Sequence, residues 1–203
     1  MFKYLLGSLL FVMAPLSWGQ NNINISALQQ RLEGPLSLEE RSALNHQLAI
    51  SHELAGNLKE AQLAYQQAYF YSRPVNHLLA LRAGFLAIEL GELSVAIAII
   101  NQLARMPLNN NERNRALSLT FTIYGLQGNA TAGTRLLQNE NNFIGNHADA
   151  ALLFAIYRYH IRLRQINEAM PLVVRIQTLF PNSPEAALLR GTALVFPSPA
   201  NVF

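Results

Sequence analysis

Five histidines and twelve carboxylate side chains are the groups on which metal binding or acid–base chemistry would have to be built. There is no cysteine, which removes thiolate metal sites, disulfides and cysteine nucleophiles together. Asp149 is the only aspartate, so paired-aspartate catalysis is excluded. No G-x-S-x-G, H-E-x-x-H, Walker or G-x-G-x-x-G pattern occurs. In His147-Ala148-Asp149 the aspartate reads as a helix N-cap, because a carboxylate there accepts from free backbone N–H groups. With no constellation for catalysis and no cofactor implied, the chain reads as non-enzymatic.

The elements that position these residues show why His52 and His160 are not ligands. Four segments place a turn between two amphipathic helices, centred on Gly56, Gly91, Gly128 and Arg164, which are 35, 37 and 36 residues apart. His52 and His160 stand at corresponding positions, where the third copy has Tyr124. A neutral imidazole at such a position predicts a packing role.

Glycine at 56, 91 and 128 can take a positive φ, so a helix can end there and the chain reverse at little steric cost. Five residues on stand Ala61, Ala96, Gly133 and Ala169, small enough for two helices to cross closely. Pro74, Pro107 and Pro181 close three of the copies, since proline cannot continue a helix interior.

Gly56-Asn57-Leu58-Lys59-Glu60-Ala61 with Tyr65, Ala68 and Pro74, and the junction Leu179-Phe180-Pro181-Asn182-Ser183-Pro184-Glu185-Ala186, resemble the tetratricopeptide repeat (TPR) family as found in exported bacterial proteins. The resemblance covers roughly residues 43 to 195. It implies an all-α fold: an α-solenoid of about four helical hairpins with short capping helices at both ends. Arg164 replaces the turn glycine, and Gly133 the usual alanine. The period also exceeds the family's 34 residues, which predicts longer loops at Asn109-Asn110-Asn111 and Asn139 to Asn146.

Stacked hairpins curve, and the first helix of each lines the concave side. On the repeat alignment its outward-facing candidates are His46, Ile50 and Glu53, then Leu81, Phe85, Ile88 and Glu89, then Arg115, Ser118 and Thr122, then Phe154, Arg158 and Arg162. Such a groove is apolar in its first half and cationic in its last. It implies a protein or peptide partner, with Phe85, Ile88 and Phe154 anchoring an apolar face and Arg158 and Arg162 drawing an acidic group. The Lys/Asn set with which chaperone-binding members hold a terminal carboxylate is absent. The expected role is an interaction scaffold of the cell envelope. The alternative is a helical accessory subunit of an envelope enzyme or transport complex.

Composition fits that expectation. Half of the 203 residues are apolar and only 13% charged, with a formal charge of +3. Two lysines and thirteen scattered arginines do not make the phosphate-tracking surface that nucleic acid requires. Residues 1–19 read as a cleaved signal peptide: Lys3, an uncharged stretch from Tyr4 to Ala14, Pro15, then Ser17-Trp18-Gly19 before Gln20. The stretch is shorter than the roughly 20 residues a membrane span needs, and no later segment qualifies. A periplasmic or secreted product follows.

Residues 20–36 are expected to hold a short helix at 26–33 ended by Gly34-Pro35, and the repeat domain runs from 37 to 195. Ser37-Leu38-Glu39-Glu40 is a capping box. Ser183-Pro184-Glu185 starts a last helix, and residues 196–203 form a proline-containing tail.

Overall fold

The computed structural model describes residues 25–193, so the expected signal peptide and the C-terminal tail lie outside the described residues. Those residues form ten α-helices and no strand. A short α1 (Ile25–Leu32) precedes α2 (Leu38–Leu54), α3 (Leu58–Tyr71), α4 (His77–Glu89), α5 (Leu93–Leu103) and α6 (Asn110–Gln127). There follow α7 (Ala130–His147), α8 (Ala150–Arg162), α9 (Ile166–Leu179) and α10 (Pro184–Ala193).

Side-chain caps set the helix starts. Ser37 and Glu40 exchange bonds with each other's backbone N–H groups at 3.2 and 2.9 Å, the reciprocal capping box. Asn109 and Glu112 do the same at the start of α6, at 3.0 and 2.9 Å. Asp149 caps α8 as expected, accepting from the Leu152 N–H at 2.8 Å, and Ser183 accepts from Ala186 N–H at 3.1 Å.

All four hairpin turns close in the same way. The N–H of Asn57, Glu92, Asn129 and Gln165 each donates to the carbonyl five residues back, on His52, Ala87, Tyr124 and His160, at 2.7–2.9 Å. The residue before each donor reaches back three, from Gly56, Gly91, Gly128 and Arg164. This is the paired-bond ending that needs a left-handed residue. The three glycines supply it with φ of 78°, 75° and 65°, and Arg164 takes φ 60° without glycine's freedom.

The small residues five positions on are buried, with Ala61, Ala96 and Ala169 at 0% exposure. Gly133 is buried for a sharper reason: a Cβ there would collide with the phenol ring of Tyr159, whose hydroxyl donates to the Ala130 carbonyl at 3.1 Å. The third copy departs from alanine because α8 puts a tyrosine in that space.

One expectation fails. Asn139 to Asn146 is not a loop but the second half of α7. Phe143 and Ile144 are buried there and continue the helical spacing from Gly133, Leu136 and Leu137, and no proline interrupts it. Asn110 and Asn111 likewise belong to the first turn of α6, so that loop ends at Asn109. Asparagine is a modest helix former, and buried anchors on either side override it.

Helices pack in sequence: α2 with α3, α3 with α4, α4 with α5, and α8 with α9. The first helices of later hairpins also meet directly, α4 with α6 and α6 with α8, while α1 covers α2 and α10 rests on α8 and α9. Two cores result. Leu48, Tyr65, Leu81, Leu86, Ile99 and Leu103 build the first, and Phe143, Leu152, Leu153, Ile156, Tyr159 and Ile176 the second. Between them α6 sends Leu119 and Ile123 into the first core and Leu117 and Phe121 into the second. None of the helices is long and apolar enough to cross a membrane.

Candidate partner-binding face

The candidate residues all lie on α2, α4, α6 and α8, but they do not share one environment. On α2, His46 is half-buried with its ring centroid 5.8 Å from that of Tyr65, and burial lowers its pKa. Ile50 is 38% exposed. Glu53 is engaged within the fold, accepting from the Tyr65 hydroxyl at 3.0 Å, from Arg82 Nε at 3.2 Å and from Arg82 Nη2.

On α4 the structure corrects the sequence expectation. Leu81 is 1% exposed and belongs to the first core, so it offers nothing to a partner. Phe85 and Ile88 are half-buried against the same core, and Glu89 is exposed. Burial lowers the Arg82 pKa, Glu89 opposes that shift, and Arg115 of α6 adds to it. The first half of the face is therefore a mixture of charges around Ile50, not the apolar stretch expected.

On α6, Arg115 is exposed, with its Nε donating to Asn111 Oδ1 at 3.3 Å. Ser118 is buried and donates to the Asn114 carbonyl, and Thr122 donates to the Ser118 carbonyl, both at 2.8 Å. Ser118, expected to face outward, is thus part of the packing between helices.

On α8 the expectation of an aromatic beside two cations has a defined geometry. Half-buried Phe154 stacks on Tyr157, with centroids 5.7 Å apart and planes 23° from parallel. Arg158 is half-buried and Arg162 exposed; burial lowers both guanidinium pKa values, and Arg158 lowers that of Arg162 further.

Arg82 and Tyr157 were missed from sequence as members of this surface. Glu53 and Arg82 stand 29 residues apart, which no local spacing rule pairs. Tyr157 had a signal, since it lies one helical turn after Phe154.

The histidines proposed as packing groups are in fact buried. His52 and His160 are each 7% exposed, and His160 Nδ1 lies 2.8 Å from Gln165 Oε1. His77 Nδ1 lies 3.2 Å from Glu112 Oε1, tying α4 to the capping box of α6. Among the described residues no three His, Asp or Glu side chains come together to hold a metal.

Two shallow hollows open on the surface of the described residues. One, about 400 Å³, lies over the start of α7, between Ala130 and Gln138. The other, about 210 Å³, lies between α2 and the α3–α4 turn and includes His46 and Arg73. Neither is lined by Phe85, Phe154, Arg158 or Arg162. Comparison with protein-family models, curated proteins and solved structures finds no match for this chain.

Proposed function

We infer that the chain is a non-enzymatic interaction scaffold of the cell envelope, a TPR-like solenoid that binds a partner protein or peptide along the first helices of its hairpins. What carries this reading is the fourfold recurrence of one hairpin geometry. Each turn closes with the same two backbone bonds around a left-handed residue, and each is followed five residues on by a buried small residue. Units of that kind bury their apolar faces against their neighbours and leave an extended surface, an architecture suited to holding other chains.

Export is part of the proposal and rests on residues 1–19 alone. N-terminal sequencing of protein recovered from the periplasm or medium tests it, and an intact Met1 would count against it.

Photo-crosslinking separates the first helices from the second. A crosslinker at Ile50, Arg115 or Arg162 should capture one partner reproducibly in cells, while the same group at Gln67 or Thr178, on the second helices, should not. Equal capture from both sets would overturn the assignment of the binding face.

A further inference from the structure

All twelve carboxylate side chains of the sequence fall between Glu33 and Glu185, within the described residues. Glu53, Glu92, Glu112 and Glu140 pair with Arg82, Lys59, His77 and Arg113. None forms an ion pair with Arg158 or Arg162, so no acidic side chain of this protein balances those two cations. They nonetheless stand together, one turn apart on α8, and burial raises the cost of keeping them charged. Arg158, half-buried without a counter-charge, is destabilising unless something outside the chain supplies one, and the exposed Arg162 is open to the same group.

The surroundings of the pair are organised. A Cβ on Gly125 of α6 would sit 3.3 Å from Arg162 Cδ and 3.4 Å from the Tyr159 backbone. The absence of a side chain there lets α8 close on α6 and gives the Arg162 stem a seat across it. One turn before Arg158, the Phe154–Tyr157 stack offers an apolar surface beside the charge.

We propose that Arg158 and Arg162 form a receptor for two carboxylates on an acidic segment of a partner protein, with an apolar residue of that segment lying against Phe154. The proposal rests on the scaffold reading and names the chemistry of its partner. The two Cα atoms are about 6 Å apart along the helix, a spacing met by alternate residues of an extended chain. Guanidinium forks favour planar carboxylates over a diffuse anionic surface. A nucleic acid would need more cations than two, and residues 25–148 are formally neutral.

The probes are fluorescent twelve-residue peptides carrying Glu-x-Glu next to a Phe or Leu, their Glu→Gln counterparts, and a single-stranded oligonucleotide. Binding to the full chain is followed by anisotropy. Glutamate peptides should bind at least about tenfold more tightly than the glutamine ones, and Arg162→Gln or Arg158→Gln should each remove about tenfold. Arg135→Gln, on α7, should change nothing. Arg162 is exposed, so its variant keeps the test open if Arg158→Gln fails to fold by circular dichroism.

Equal binding of glutamate and glutamine peptides, tighter binding of the oligonucleotide, or indifference to both arginine variants would overturn the proposal. If the partner crosslinked at Ile50 is still captured by the Arg158→Gln/Arg162→Gln chain, the scaffold reading survives and the carboxylate receptor does not. If no position on the first helices captures a partner, the scaffold reading itself fails.

Discussion

The chain before Asp149 and the chain from Asp149 onward handle charge differently. Residues 25–148 carry nine basic and nine acidic side chains, and the three Lys or Arg ion pairs of the described residues lie there together with the His77–Glu112 contact. They span 27 to 35 residues; three tie one helical hairpin to the next, and Arg113–Glu140 joins the two helices of the third hairpin. Residues 149–193 carry five basic and three acidic side chains and no ion pair. Arg175 donates to the Ile144 and Gly145 carbonyls and Arg190 to that of Pro181, which leaves Arg158 and Arg162 on α8 and the exposed turn residue Arg164. Location, more than net charge, separates a cation that ties helices together from one that faces no carboxylate of the chain.

The cores divide at α6, and that helix gives the strongest way to separate the two regions. Phe121→Ala should destabilise by about 4 kcal/mol, since the ring is 0% exposed and packs edge-on against Tyr159 at 5.6 Å. Native-state hydrogen exchange should show the loss first in α8 and α9. Leu119→Ala, on the opposite face of α6, should cost about 3 kcal/mol and loosen α4 and α5 first. Equal loosening at both ends for either variant would mean that the two cores are one.

Gly133→Ala should cost about 2 kcal/mol by urea denaturation, because Tyr159 must leave its place to admit the methyl group. Combined with Tyr159→Leu the loss should be clearly less than the sum of the two single changes. Full additivity would remove the reason given for glycine in the third hairpin.

The turns give a smaller, matched pair. Gly56→Ala should destabilise by about 1 kcal/mol and Arg164→Gly should stabilise by about as much, since both sit at positive φ and only one now has the residue that tolerates it. Thermal melts of the two variants should move in opposite directions.

The smallest effect concerns the α2 capping box. Bonds from the Ser37 backbone and side chain hold the Glu40 pKa below its ordinary value. A carboxylate depressed in the folded state contributes stability at pH above its unfolded value, and this is lost as pH falls through its folded value. Amide exchange in the first turn of α2 should therefore rise selectively in acid; Ser37→Ala, which leaves the backbone bond in place, should weaken that pH dependence and Glu40→Gln should abolish it.

Local chemistry made several elements legible. Ser37 with Glu40, Asp149 and Ser183 announced helix starts by residue type, and Gly56, Gly91 and Gly128 announced helix ends. The asparagine-rich stretch misled because loops are rich in asparagine, while the deciding residues, Phe143 and Ile144, act through burial. For the candidate surface, Phe154, Arg158 and Arg162 were readable as one helical face. Leu81 and Ser118 were misplaced because the repeat alignment gives the phase of a helix, not the angle at which its neighbour covers it.

Taken alone, the sequence determined where helices begin, where they reverse and which small residues let them cross, because hydrogen bonding and φ preference act over a few residues. Tertiary structure alone decided that Glu53 belongs to Arg82, that Tyr159 fills the space at Gly133 and that Arg158 and Arg162 have no carboxylate of their own. Those outcomes depend on distances between residues remote in the chain, and only packing sets such distances.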